Sequence, residues 1–408
     1  MNIILNHTNT THFNSELTIT GSKSESNRLL ILQQLFNNLQ IKNLSNSKDT
    51  QVLQKALNSK NSVVNIGHAG TAMRFLTAYL SSIKGIDLTL TGSKRMHQRP
   101  IKILVDALIS IGADITYLEN EGFPPLRIKG KQLNKSNVSI KGNVSSQYIS
   151  ALLLIAPSLP NGLKINLIDE VTSIPYIKMT LSLLNKIGMM TEWKDNVIKI
   201  YPKKSIEDKT ITVESDWSSA SYFYSLVALA KKSKIELSYF NKKSLQGDKA
   251  LAELYLNFGV KTTFKKQTII LEKTKNFKSK KHIKLDLVNT PDIAQTIAVT
   301  CFGLNVSCEL IGLHTLKIKE TDRLKALKTE LQKFGAKIKI TNDSFHMDNE
   351  QRLNTKDQRL NTIKTYDDHR MAMAFAPLSL LYPLIIKDAE VVEKSFPSFW
   401  SDLDKIFK

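Results

Sequence analysis

Leu183-Leu-Asn-Lys-Ile-Gly188 is an apolar helical face closed by a glycine, and the same arrangement occurs four times in the chain. The other copies are Ala107-Leu-Ile-Ser-Ile-Gly112, Leu254-Tyr-Leu-Asn-Phe-Gly259 and Leu331-Gln-Lys-Phe-Gly335, so the glycines stand 76, 71 and 76 residues apart. Apolar residues at i and i+3 or i+4 predict a helix, and the glycine reads as its C-cap. A recurring period of this length marks repeated supersecondary units.

A second pattern runs strand, short polar turn, helix. It occurs at Leu17-Thr-Ile-Thr-Gly-Ser-Lys-Ser24, Val138-Ser-Ile-Lys-Gly-Asn-Val-Ser-Ser146, Ile211-Thr-Val-Glu-Ser-Asp-Trp-Ser-Ser219 and Leu285-Asp-Leu-Val-Asn-Thr-Pro-Asp292, with similar turns near 67–71 and 366–370. Period-two alternation predicts the strand, and the Ser, Asp or Pro after it is helix-start chemistry. Six units of this kind predict an α/β protein of two domains with three units each. A helix that begins just after a strand offers free N–H groups and partial positive charge, which favour anions. Read singly, each is an ordinary capped helix; only the repetition suggests a shared anion-binding face.

The chain has 408 residues and a net charge of +20, with 42% hydrophobic and 23% charged residues. This excludes a disordered chain, and two cysteines exclude a disulfide framework. Cys301 and Cys308 lie in an apolar run and read as buried structural thiols. No basic leader with an apolar core opens the sequence, and no uninterrupted apolar run is long enough to span a bilayer, so a soluble cytoplasmic protein is expected. The positive charge suggests nucleic acid at first sight. It is carried by 48 Lys and only 9 Arg, however, and the lysines are dispersed.

The arginines are more informative, because a guanidinium fork matches carboxylate and phosphate while lysine is a point charge. Arg352 and Arg359 belong to a tandem Gln-Arg-Leu-Asn-Thr motif, expected in a surface loop or hairpin, and Arg95 and Arg127 lie outside distinctive strings. The other five stand in Gly21-Ser-Lys-Ser-Glu-Ser-Asn-Arg28, Gly67-His-Ala-Gly-Thr-Ala-Met-Arg74, Met96-His-Gln-Arg-Pro-Ile101, Lys319-Glu-Thr-Asp-Arg323 and Tyr366-Asp-Asp-His-Arg-Met-Ala-Met373. Each reads either as an oxyanion ligand or as half of a structural ion pair. With a helix starting near Ser24, Lys23, Ser24 and Arg28 are able to face one anion. Gly67-His-Ala-Gly-Thr71 is a turn suited to close backbone approach, but no Walker A loop, dinucleotide fingerprint or metal-spaced Cys/His cluster is present. Candidate acid–base groups are Asp292, Glu320, Asp368 and His369, although a charged run such as 319–323 is usually a solvated face and Asp292 at a helix start is often a cap.

In order along the chain, Gly-Ser-Lys-Ser-x-Ser-Asn-Arg (21–28), Ala-Gly-Thr-Ala-Met-Arg (69–74), Arg-Pro-Ile (99–101), Val-Ser-Ser-Gln-Tyr (144–148), Pro-Asp (291–292), Lys-Glu-Thr-Asp-Arg (319–323) and Asp-His-Arg-Met-Ala-Met (368–373) resemble the 5-enolpyruvylshikimate-3-phosphate synthase family over nearly the whole length. The resemblance implies a two-domain inside-out α/β barrel, each domain of three βαβαββ units, with the active site in the cleft between them. It places one domain at 21–214, binding shikimate 3-phosphate. The other, 1–20 plus 215–408, completes the phosphoenolpyruvate site.

It further implies transfer of the enolpyruvyl group of phosphoenolpyruvate to the 5-hydroxyl of shikimate 3-phosphate. Phosphate leaves by addition–elimination through a tetrahedral intermediate, as a step of chorismate and aromatic amino-acid biosynthesis. By the same carry-over Lys23, Ser24, Arg28, Ser145, Ser146, Gln147, Ser173, Tyr176, Asp292, Thr315 and Lys319 hold shikimate 3-phosphate. Lys23, Gly70, Arg99, Gln147, Arg323, Arg370 and Lys394 surround phosphoenolpyruvate. Asp292, Glu320 and Lys23 are the expected proton-transfer residues, and no cofactor, metal, nucleic acid or membrane is expected, with the chain acting as a monomer. Three positions depart from the family pattern: His68 and Thr315 where Asn is common, and Phe75 where Pro is common. Two other readings compete. The sister enolpyruvyltransferase acting on UDP-N-acetylglucosamine typically carries a reactive loop cysteine, which neither cysteine here matches. A basic nucleic-acid-binding protein predicts clustered rather than dispersed lysines.

Overall fold

Strands whose apolar residues fall on alternate positions, and helices closed by glycine, join into one repeated motif. A computed structural model describes residues 1–10, 12–143, 145–348 and 360–407. Strand Val63–Asn65 leads through helix Gly70–Ser82 to strand Asp87–Thr91, which pairs parallel with it. Helix Lys102–Ser110 follows, then the hairpin Asp114–Tyr117 and Leu126–Lys129, whose second strand joins Asp87–Thr91 antiparallel. The four strands therefore lie in the order first, second, fourth, third.

Three further sheets repeat that order. One contains Asn137–Lys141, Leu163–Ile168, Thr191–Lys194 and Val197–Ile200, and another contains His282–Asp286, Ser307–Ile311, Lys337–Ile340 and Phe345–Asp348. The last contains His12–Thr18, Lys232–Ser238, Val260–Lys265 and Thr268–Lys273, and there the parallel neighbours are separated by the whole segment 21–213. Smaller sheets pair Leu39–Lys42 with Lys209–Thr212, and Leu384–Ile386 with Ile3–Leu5 and Asn361–Ile363. The chain accordingly forms two compact units, Gly21–Val213 and Met1–Thr20 with Glu214–Lys408.

Within each unit the helices form the interior. All ten residues of Ala294–Gly303 are buried, as are most of Trp217–Leu229, Gly70–Ser82 and Ser146–Ile155. A helix apolar on every side belongs inside, whereas strands such as Leu126–Lys129 alternate buried and exposed residues and carry one solvent face. Hydroxyls on the buried helices bond to one another: Thr300 Oγ1 donates to Ser225 Oγ at 2.8 Å, and Ser221 Oγ lies 3.1 Å from Thr296 Oγ1. Gly112, Gly188, Gly259 and Gly335 follow their helices at φ of 112°, 85°, 74° and 89°. Both cysteines are buried. Arg352 and Arg359 of the tandem motif lie outside the described residues, while its last two residues, Asn361 and Thr362, open strand Asn361–Ile363. Among the described residues, no helix is long and apolar enough to cross a membrane.

Candidate active site

The unit Gly21–Val213 gathers ten of the expected site residues around its helix starts. Ser22 caps helix Lys23–Leu35, so Lys23 and Ser24 open its first turn. Lys23 Nζ is 3.2 Å from Asp49, whose carboxylate sits in the first turn of helix Lys48–Leu57. Arg28 turns inward instead of outward. It is 2% exposed and donates from Nε to Thr180 Oγ1 at 2.7 Å, from Nη2 to Ser150 Oγ at 3.0 Å, and from Nη1 to the carbonyl of Ser24 at 2.8 Å. Its guanidinium lies 5.5 Å from the Phe75 ring centre and 5.9 Å from that of Tyr176, so Phe75 covers the arginine. Burial pulls its pKa down to about 10, which leaves it charged at neutral pH.

Gly70 opens helix Gly70–Ser82 directly beneath Arg99: a Cβ on Gly70 would lie 2.4 Å from Arg99 Nη1. The backbone around Arg99 is pinned by Arg74 and Tyr148. Arg74 donates to the carbonyls of Gly70 at 3.1 Å and Pro100 at 3.0 Å, and Tyr148 OH donates to Pro100 at 2.6 Å. Gln147, beside Tyr148, donates to Thr71 Oγ1 at 3.2 Å. Gly70, Arg99 and Gln147 are thus brought together by one bonded group. Ser145 caps helix Ser146–Ile155 through the Gln147 N–H, and Ser173 stands before helix Ile174–Lys186 with a φ of 54°, in the left-handed region.

The other unit builds a denser cluster on Arg323, the first residue of helix Arg323–Gln332, which Asp322 caps. Arg323 is 2% exposed and divides its donors among three carboxylates. Nε meets Asp368 at 2.7 Å, Nη1 meets Asp292 at 3.1 Å, and Nη2 meets Glu320 at 2.9 Å. Arg370 Nη2 is 3.3 Å from Asp292, Lys319 Nζ is 3.7 Å from Asp292, and Lys394 Nζ is 2.8 Å from Glu320. Four cations face three carboxylates, an excess of one positive charge. The run 319–323 is therefore an internal charge network and not a solvated face. Burial opposes the Arg323 charge, yet Asp368, Glu320 and Asp292 outweigh it and raise its pKa. For Lys319 the attraction of Asp292 is overcome by burial together with Arg323 and Arg370, which leaves it below the ordinary lysine range.

Asp248, in the turn Gly247–Ala250, was not anticipated and carries no motif signal. It is buried, accepts from Ser218 Oγ, and is pushed up to about 7 by burial and by Asp292. Thr315 Oγ1, the position where Asn is common in the family, is buried with no hydrogen-bond partner among the described residues. No group of three or more His, Cys, Asp and Glu among those residues is placed to hold a metal.

Two repeat-built α/β units, each with fixed cations set at helix starts, define the class: a protein equipped for small anionic molecules. The sequence matches the family EPSP synthase (3-phosphoshikimate 1-carboxyvinyltransferase) over residues 50–403. It is 49% identical over 389 residues to the 3-phosphoshikimate 1-carboxyvinyltransferase of Bacteroides fragilis strain YCH46, covering 95% of this chain and 94% of that one. It is 37% identical to the enzyme of that name from Haemophilus influenzae strain PittEE, covering 96% of both. A solved structure of EPSP synthase from Acinetobacter baumannii shares the fold with a TM-score of 0.78 at 20% identity, over 99% of this chain and 98% of that one. The chain belongs to the EPSP synthase family and is a transferase.

Proposed function

We propose that this chain transfers the enolpyruvyl group of phosphoenolpyruvate to the 5-hydroxyl of shikimate 3-phosphate and releases phosphate. Family membership supports the reaction, and the observation that carries the chemistry is the Arg323 network. It holds two carboxylates, Asp292 and Glu320, on one guanidinium with Arg370, Lys319 and Lys394 around them. Two anionic substrates repel each other, and fixed cations offset that repulsion without reorganising.

In this reading Lys23, Ser24, Ser145, Ser146, Gln147, Ser173, Tyr176, Thr315 and Lys319 bind shikimate 3-phosphate. Arg28 is a buried member of that group, acting through Ser24 and Tyr176. Gly70, Arg99, Arg323, Arg370 and Lys394 serve phosphoenolpyruvate. Asp292 takes the proton of the 5-hydroxyl as its oxygen bonds to the central carbon of phosphoenolpyruvate. Glu320 and Lys23 handle the protons at the methylene carbon and at the leaving phosphate: the carbon gains a proton on addition and gives it up again as phosphate leaves. The reading has the chain acting as a cytoplasmic monomer without cofactor.

Phosphate release from phosphoenolpyruvate plus shikimate 3-phosphate tests the reaction. Release only with UDP-N-acetylglucosamine as acceptor would transfer the chain to the sister activity. Asp292→Asn and Glu320→Gln should each lower turnover by about 10²–10⁴-fold, the usual worth of a general acid or base. Near-native turnover in either variant removes that residue from its role.

A further inference from the structure

Helix Arg323–Gln332 grips the segment leading to Arg370 at more than one place. Seven residues beyond Arg323, about two turns along and on the same face, stands Glu330, which is fully buried. Its Oε1 accepts from Tyr366 OH at 2.6 Å, and its Oε2 accepts from the Lys364 N–H at 3.2 Å and pairs with Lys333 Nζ. Lys333 also donates to the carbonyl of Thr362 at 2.9 Å. One helix and its C-cap residue Lys333 thus hold Thr362, Lys364, Tyr366 and, through Arg323, Asp368.

The held segment is strained. Tyr366 and Asp367 both have a φ of 55°, a left-handed conformation that non-glycine residues adopt at a cost. Immediately after them Asp368 caps helix His369–Phe375 by accepting from the Arg370 N–H at 2.8 Å, while its other oxygen meets Arg323. The direction in which the chain leaves this turn therefore sets both the carboxylate that orients Arg323 and the arginine that meets Asp292.

We infer that Glu330, with Tyr366, is a positioning residue for phosphoenolpyruvate: it keeps the strained turn closed so that Arg323 and Arg370 stay in register on Asp292. This rests on the assignment of those two arginines to phosphoenolpyruvate. Strain persists only where surrounding bonds over-determine it, and Glu330 supplies two of the bonds.

The test compares native enzyme, Tyr366→Phe, Glu330→Gln and, as a control for general destabilisation, Leu271→Ala. Leu271 is a buried core residue on strand Thr268–Lys273, in a different sheet from strand Asn361–Ile363, which leads into the turn. Steady-state phosphate release is measured with each substrate varied in turn. The inference expects KM for phosphoenolpyruvate to rise at least fivefold in Tyr366→Phe and further in Glu330→Gln. KM for shikimate 3-phosphate should stay within twofold, and Leu271→Ala should leave both KM values unmoved. An unchanged phosphoenolpyruvate KM in Tyr366→Phe overturns the inference, as do equal rises for both substrates. If Glu330→Gln does not fold, Tyr366→Phe decides alone. If the native enzyme releases no phosphate, the reaction reading falls, and the clamp is judged by amide hydrogen exchange of 362–372. Exchange at least tenfold faster in Tyr366→Phe supports it, and unchanged exchange overturns it.

Discussion

Arg323→Lys keeps the charge and removes the fork, so it isolates what the guanidinium geometry does. Arg323 binds three carboxylates with three nitrogens, at 2.7 Å to Asp368, 3.1 Å to Asp292 and 2.9 Å to Glu320. A lysine ammonium is one point at the end of a flexible stem and is best placed beside Asp368, the carboxylate with no exposed surface. The bonds to Asp292 and Glu320 are then lost. Charge-assisted hydrogen bonds contribute about 1.5–3 kcal/mol each, which sets a gross loss of about 3–6 kcal/mol. Lys319 and Arg370 still face Asp292, and Lys394 still faces Glu320, so the net loss should be nearer 2–3 kcal/mol. For a unit of this size that lowers Tm by about 5–10 °C. Turnover should fall by about 100-fold, since displacement of about 1 Å at reacting groups has that effect. Thermal unfolding and phosphate release are measured on the same preparation. A lysine variant with native Tm and turnover within threefold of native would refute the view that one guanidinium orients both carboxylates.

Two other perturbations probe separate parts of the structure. Gly70→Ala puts a methyl 2.4 Å from Arg99 Nη1 and 2.9 Å from its Cζ, so the flexible arginine end must move while the fold is kept. Loss of about one charge-assisted hydrogen bond should raise KM for phosphoenolpyruvate about 10–100-fold at native Tm, and an unaltered KM would exclude Arg99 from that site. Asp248, pushed up to about 7 from its ordinary 3.8, contributes stability fully present below pH 3.8 that is lost as pH rises through 7, about 4 kcal/mol at most. Asp248→Asn should flatten that decline. Urea unfolding at pH 5 and pH 8 measures it, and a native enzyme no less stable at pH 8 relative to the Asn variant would show that the carboxyl is not held protonated.

The repeat was legible because its signals are local. Gly188 and Gly335 end helices through their own backbone freedom, and Ser22 and Asp216 cap the helix starts that their side chains predict. Pairing across the chain was not local: Lys232–Ser238 pairs parallel with His12–Thr18 across a whole intervening unit, and nothing in either strand specifies the other. The site shows the same division. The spacing of Lys23, Ser24 and Arg28 predicted a shared direction, but Thr180 and Ser150, distant in sequence, draw Arg28 inward. A charged run at 319–323 reads as solvated until Asp368, 45 residues away, meets its arginine. Asp49, Asp248 and Glu330 stand in strings with no chemical signature, and only packing reveals their partners.

The scarcity of arginine in this chain has a physical reading once its positions are known. Burial lowers the pKa of a lysine toward neutrality: Lys273, half-buried against backbone carbonyls, is pulled to about 8. Arg28, buried more deeply among neutral acceptors, is pulled only to about 10 and stays charged. The guanidinium also offers enough donors to satisfy several acceptors at once, which a buried cation requires. Arg28, Arg74, Arg323 and Arg370 are all buried, and the side chains of Arg28 and Arg323 each tie together two or more separate elements. Lysine serves at partly exposed ion pairs, as at Lys23 with Asp49 and Lys394 with Glu320. Of the seven arginines among the described residues four are held in the interior, while Arg127 pairs with Asp87 at the surface. It follows that exchanging lysine for arginine is not neutral here in one direction: exposed lysines should tolerate arginine, whereas each of the four buried arginines should resist lysine.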